Sequence, residues 1–215
     1  MTALTLFIGN KNYSSWSLRP WLALKVAGIA FEEVLIPLRE PTTKQDILRH
    51  TPSGKLPGLK IGDTAIWDSL AICEWVAEQA PDAGLWPTDP LTRAVARSLA
   101  AEMHSGFVAL RQNMPMDVRE RYAGQGLTTE VQADINRITA AWRDARGRFG
   151  EAGPFLFGKF TIADAMFAPV AFRFQTYQPD LPDDAQAYVA AMVEHPAMKE
   201  WADAAKREPW FFENK

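Results

Sequence analysis

The stretch Pro81-Asp82-Ala83-Gly84-Leu85-Trp86-Pro87-Thr88-Asp89-Pro90 constrains the fold most, because the hydrophobic period differs on its two sides. Before it, short apolar runs alternate with helix-spaced ones. The pattern predicts strand 4–8, helix 15–26, strand 31–37, short helix 43–49, strands 59–61 and 65–67, and helix 68–79. The first strand–helix–strand unit implies a parallel pair with a right-handed crossover, and Gly62-Asp63 implies an antiparallel hairpin that closes the sheet. Beyond the break, apolar residues recur three and four apart over 91–122, 131–149, 162–174 and 188–192, which predicts only helices. The chain therefore reads as an α/β domain over 1–80, a linker over 81–90 and an all-helical bundle over 91–215.

Within the helical half, Pro115 is expected to kink or end the first helix, because it removes a backbone donor and crowds the preceding turn. Gly124-Gln125-Gly126 reads as the loop that follows. Thr161 and Asp164 form a capping-box start, and the run from Ala165 to Phe174 is apolar almost all round, which predicts a helix at the centre of the bundle.

Lys and Arg number 23 against 26 Asp and Glu, a net charge of −3, which supplies no footprint for nucleic acid or an anionic membrane. No apolar run reaches the roughly 18 residues of a membrane span, and the N-terminus lacks a signal-peptide pattern, so a cytoplasmic protein is expected. A single cysteine, Cys73, and three scattered histidines point away from disulfides and metal sites. Cys73 lies inside a helix, where it reads as an inert packing residue. His195 before Pro196 closes a turn, and Met114 and Met116 read as filler.

Three stretches carry chemistry. In Asn12-Tyr13-Ser14-Ser15-Trp16-Ser17-Leu18-Arg19, hydroxyls meet the start of the first helix, where unpaired N–H groups favour a bound anion such as a thiolate. Serine is also a common helix cap, so this stretch alone says no more than that a helix begins. In His50-Thr51-Pro52-Ser53-Gly54-Lys55-Leu56-Pro57, the proline before a strand predicts a tight turn with a cis Leu56–Pro57 bond that presents the Leu56 backbone to an extended ligand. Asp68-Ser69 opens the third helix, placing a carboxylate, a hydroxyl and free N–H groups where an amino-acid-like moiety can be held.

These parts occur in an order that is specific, although each is weak alone. Followed by the proline-rich linker, the helical half and the Gly158-x-x-Thr161-x-Ala163-Asp164 cap, they make the chain resemble a cytosolic glutathione S-transferase over nearly its whole length. Ser14-Ser15-x-Ser17-x-Arg19 is similar to the serine-type signature of the zeta class and related bacterial branches. The resemblance implies a thioredoxin-like N-terminal domain that holds glutathione as co-substrate and a helical C-terminal domain that supplies most of the electrophile pocket. It makes Ser14 the thiol donor, with Tyr13 as the alternative and Ser15 and Ser17 in support. It pairs the Leu56 backbone, beside Pro57, with the cysteinyl part of glutathione, Asp68 and Ser69 with the γ-glutamyl end, and Lys44, Gln45 or Lys55 with the glycyl carboxylate; His50 is a further possible contact. It also implies a homodimer, to which Trp86 and Arg97 are candidate contributors. Two departures stand out: Trp16 replaces the zeta cysteine, and Asn10-Lys11-Asn12 precedes the serines.

For the second substrate, His104, Phe107, Val108 and Arg111 are spaced to share one face of a continuous helix, and would line a pocket for an electrophile carrying negative charge. The expected activity is attack of the glutathione thiolate on a small electrophile, by conjugation, dehalogenation or cis-trans isomerisation. A disulfide-reducing variant needs a cysteine that Ser14-Ser15-Trp16 does not provide. The alternative is a non-catalytic glutathione-binding or regulatory module on the same fold.

Overall fold

A computed structural model describes residues 3–151 and 153–212. Strand β1 (Leu4–Ile8) runs into helix α1 (Ser15–Val26), then strand β2 (Glu32–Leu35), helix α2 (Thr43–Leu48), strands β3 (Gly58–Ile61) and β4 (Thr64–Trp67), and helix α3 (Ser69–Gln79). The sheet order is β2-β1-β3-β4, with β1 parallel to β2 and antiparallel to β3, and β3 antiparallel to β4. The period-2 alternation of β1 divides its side chains between two layers. Leu6 and Ile8 enter the main core with α1 and α3, while Phe7 faces Ile36 and Ile47 under α2.

A 3-10 turn (Pro81–Ala83) leads to α4 (Pro90–Ser105), α5 (Val108–Asn113), α6 (Thr129–Phe149), α7 (Ile162–Tyr177), α8 (Asp183–Glu194) and α9 (Pro196–Lys206). Helix α7 is central, as its composition requires: Gln175 alone of its residues is not buried. Trp142 of α6 packs edge-on against Phe167 and Phe174 of α7 and lies 4.6 Å from Tyr188 of α8. The capping box forms: Asp164 Oδ2 accepts from Thr161 N at 2.8 Å and from Thr161 Oγ1 at 3.0 Å. Helix α1 is buried from Ser17 to Leu24 because it lies between α3 and α7, so one core is continuous across both halves.

The structure corrects the long helix expected over 91–122. Helix α4 stops at Ser105, before Pro115 is reached. Gly106 caps it, its N–H reaching Glu102 O at 2.8 Å, and a Cβ there would stand 2.8 Å from that same oxygen. Phe107 then turns left-handed at φ 57°, and α5 restarts with Leu110 N donating to Asp134 Oδ2 at 2.9 Å. Pro115 lies beyond the end of α5, where its carbonyl accepts the Tyr177 hydroxyl at 3.0 Å. His195 and Pro196 do form the turn between two helices: α9 starts with Pro196 in its first turn and His195 Nδ1 accepting from Ala197 N at 3.2 Å, and it buries Met198, Trp201 and Ala205. Among the described residues no helix is long and apolar enough to cross a membrane.

Candidate functional site

The loop between β1 and α1 is held from three directions. Asn10 Oδ1 accepts from Leu38 N at 2.8 Å. Asn12 Oδ1 accepts from Val118 N at 2.9 Å and Arg119 N at 3.0 Å, while its Nδ2 donates to Asp117 Oδ1 at 2.7 Å. Glu208, past α9, accepts from Lys11 N at 2.6 Å and Asn12 N at 3.1 Å. The unexpected Asn10-Lys11-Asn12 is therefore the clamp that ties the loop to the helical half. A polar triplet between an apolar strand and a buried helix was the available signal, but the partners of Asn12 lie more than a hundred residues away.

This clamp sets Ser14 at the N-cap of α1, 7% exposed. Its hydroxyl makes no cap bond to the helix; it donates to Ser17 Oγ at 2.7 Å, and Ser17 Oγ in turn accepts from Gly9 N at 3.1 Å. Ser17 is fully buried beneath Ser14, so it supports that residue and is not itself a wall of the cleft. The first turn of α1 contains no acidic residue, which leaves its N-terminal field open to an anion. Tyr13 is turned elsewhere: its hydroxyl accepts from Arg119 Nη2 at 3.0 Å and Phe212 N at 2.9 Å, and its ring stacks on Phe212 at 4.3 Å.

A cleft of about 630 Å³ reaches this stretch through Trp16, not through Ser14, and is lined also by Lys55, Leu56, Pro57, Asp68, Ser69 and His104, with Ser53 and Trp67 at its walls. The Leu56–Pro57 bond is cis. Asp68, left-handed at φ 77°, caps α3 by accepting from Leu70 N at 2.8 Å and Ala71 N at 3.3 Å; its other oxygen lies 3.2 Å from His104 Nε2. Ser69 Oγ is buried without a partner among the described residues, as is His104 Nδ1. An orphaned hydroxyl beside a capping carboxylate fits a zwitterionic amino-acid end. Burial holds the His104 imidazole below its ordinary pKa, Asp68 opposes this, and Arg19 and Arg111 reinforce it. Lys44 and Gln45 are exposed on α2 and do not line the cleft, and His50 stacks on Phe7 at 4.2 Å.

The four residues expected to share a helix face do not, because the chain breaks at Gly106 and Phe107. His104 alone lines the cleft. Phe107 is buried in the core and Val108 is 54% exposed. Arg111 folds back to cap α4, donating to the carbonyls of Met103 and of His104, the latter at 2.9 Å. It also stacks on Trp16 at 4.8 Å, and Arg19 stacks on the same ring at 4.3 Å. Burial and repulsion by Arg111 and Arg173 lower the Arg19 pKa to about 9. Sequence reasoning assigned Trp16 no role, yet it links both arginines to the cleft. Among the described residues no three His, Cys, Asp or Glu side chains gather to hold a metal ion.

Residues 13–79 match the pattern of the glutathione S-transferase N-terminal domain, and residues 117–204 that of the C-terminal domain. The chain belongs to the glutathione S-transferase family. A maleylacetoacetate isomerase of Rhizobium meliloti is 34% identical over 184 residues, covering 78% of this chain and 81% of that one. A probable maleylacetoacetate isomerase of Caenorhabditis elegans is 26% identical over 171 residues, covering 78% and 77%. Among solved structures, a glutathione transferase homolog from Burkholderia with bound glutathione superposes with a TM-score of 0.72 at 23% identity, covering 95% of this chain and 98% of that one. At that identity the match speaks for the shared transferase fold: a four-stranded mixed sheet followed by a helical domain.

Proposed function

We propose that this transferase activates the glutathione thiol through Ser14 and directs it at a small electrophile. The observation that carries the reading is the hydroxyl chain from Gly9 N through Ser17 to Ser14. With a thiolate present, Ser14 turns its proton onto sulfur and Ser17 turns its own onto the Ser14 oxygen, while Gly9 N–H continues to polarise Ser17. Each bond strengthens the next. The α1 N-terminus adds its partial positive charge, so the thiolate fraction rises for a thiol whose free pKa is about 8.5. Tyr13 is the less well placed donor, because its hydroxyl is turned to Arg119 and Phe212 of the tail and away from the α1 N-terminus. Ser15, at the first residue of α1, supports the turn.

In this reading Leu56 pairs its backbone with the cysteinyl unit, Asp68 and Ser69 hold the γ-glutamyl end, and Lys55 meets the glycyl carboxylate; Lys44 and Gln45 reach it only from outside the cleft. Residues 1–80 then form the glutathione domain and 91–215 most of the electrophile's surroundings, with 81–90 between. The reaction is addition of sulfur to an electrophilic carbon, and the isomerase names of the relatives favour reversible addition across a double bond. A cytoplasmic homodimer belongs to the same reading and rests on family membership.

The test is a calorimetric titration of glutathione together with the thiolate absorbance of the bound peptide across pH, in wild type and Ser14→Ala. The expected result is a depressed thiol pKa that returns toward the free value in the variant. A depression that survives in Ser14→Ala removes Ser14 from the donor role, and binding with no depression in wild type favours the non-catalytic glutathione-binding module.

A further inference from the structure

A second cleft is larger than the one beside Asp68. It measures about 910 Å³ and lies between the C-terminal tail and the segment around α5, lined by Arg39, Gln112, Tyr122, Tyr177, Phe211 and Phe212 among others. We propose that this cleft holds the electrophile and selects a planar aromatic acid, with the ring against the tail phenylalanines and the carboxylate on Arg39. The inference rests on the thiol-activation reading for its reaction, but its binding step stands apart from it.

Arg39 is the first argument. It is left-handed at φ 63°, a conformation that glycine adopts freely and a long side chain adopts at a cost of about 1 kcal/mol, so the position retains a side chain against the backbone's preference. Its guanidinium stacks on Phe212 at 4.6 Å and has no carboxylate partner among the described residues. A planar cation lying on an aromatic ring can meet a carboxylate edge-on while the neighbouring ring receives an aromatic plane.

The walls are the second argument. No carboxylate lines the cleft among the described residues, and Asp117, behind Tyr122, is engaged by Asn12 Nδ2 and the Tyr122 hydroxyl. Tyr177 commits its hydroxyl to Pro115 O at 3.0 Å, so both tyrosines contribute rings rather than free hydroxyls. Phe211 is 74% exposed at the lip, with Arg119 stacked on it at 4.1 Å. The volume suits a small molecule, and a single lining cation among the described residues, Arg39, suits a monoanion better than a polyanion.

Placement is the third. Phe212 touches Tyr13 through its ring and its N–H, and Tyr13 directly precedes Ser14. Through Phe212 the cleft therefore borders the β1–α1 loop one residue before Ser14, whereas Phe107, Val108 and Arg111 of the expected face line neither cleft.

The probe pair is 4-chloro-3-nitrobenzoate and its neutral isostere 4-chloro-3-nitrobenzamide. In turnover the thiolate forms a C–S bond at the chlorine-bearing carbon, chloride departs with the C–Cl electron pair, and the thiol proton passes to solvent. Binding of each probe to the full chain is first measured by calorimetry without glutathione. Wild type is expected to prefer the benzoate, Arg39→Ala to lose about tenfold of that preference in both Kd and KM, Arg39→Lys to recover part of it, and Phe212→Ala to weaken both probes. An unchanged preference in Arg39→Ala, or no binding of either probe to wild type, overturns the proposal. Intact benzoate binding in a protein that fails to depress the glutathione thiol pKa overturns the thiol-activation reading and leaves the subsite standing.

Discussion

Asp164 offers the sharpest test of the energetics that hold the helical half together. Its carboxylate is fully buried and accepts four hydrogen bonds: Leu156 N and the Tyr188 hydroxyl on Oδ1, each at 3.0 Å, and Thr161 N at 2.8 Å with Thr161 Oγ1 at 3.0 Å on Oδ2. Burial raises its pKa from 3.8 to about 6, and the four donors pull the other way without overcoming it. Because the folded state binds this proton more tightly than the unfolded chain, the stabilisation is complete below pH 3.8 and is lost as pH rises through 6. The gap of roughly two units corresponds to about 3 kcal/mol. Asp164→Asn keeps the shape without the ionisation; its single oxygen serves only some of the four donors, at a pH-independent cost of about 2 to 3 kcal/mol. Urea unfolding of both proteins at pH 4 and pH 7.5 separates the two effects. The stability advantage of wild type over Asp164→Asn should shrink by about 2.5 kcal/mol between those pH values, because pH 4 already lies just above the unfolded pKa. An advantage that stays constant or grows would mean that the donors outweigh burial, and the reasoning would be wrong.

Three further outcomes are expected. Tyr13→Phe should loosen the tail, since Arg119 and the Phe212 N–H lose their acceptor, at about 1 kcal/mol in urea unfolding; the bound-thiol pKa should stay depressed, and its return to the free value would make Tyr13 the donor. Arg111→Ala should destabilise the protein by about 1 to 3 kcal/mol, because the α4 carbonyls lose their cap and Trp16 loses a stacking partner, with partial relief of the repulsion on Arg19; equal urea midpoints would refute this cap. Cys73 is buried, and desolvation pushes its thiol well above the ordinary range, so iodoacetamide at pH 8 should label the unfolded chain and spare the native one; native labelling at the unfolded rate would contradict this.

The clamp on the β1–α1 loop bears on all of these. Glu208 and Asn12 join residues from opposite ends of the chain, and burial raises the Glu208 pKa while the Lys11 and Asn12 N–H groups oppose it. The placement of Ser14 thus depends on the C-terminal tail as well as on α1.

What the sequence determined is whatever local chemistry dictates. The period change at Pro81 to Pro90 separated α/β from helical, a short apolar run placed β1, and a long one placed α7 at the centre. The Thr161 and Asp164 cap and the Asp68 cap were legible because a cap is made within three residues. Only the tertiary structure decided where the chain stops being helical after the linker, because Gly106 ends α4 under tertiary contacts such as Asp134 on Leu110, and a periodic pattern runs through such a break unmarked. The same holds for Arg111, whose spacing matched a pocket face but whose guanidinium found nearer carbonyls. It holds too for the cleft under Phe212, which joins Arg39 to the far end of the chain. Caps and periods are short-range energies that neighbouring residues reveal; a pocket is what remains after distant segments have satisfied one another, and that balance is reached only when the chain closes on itself.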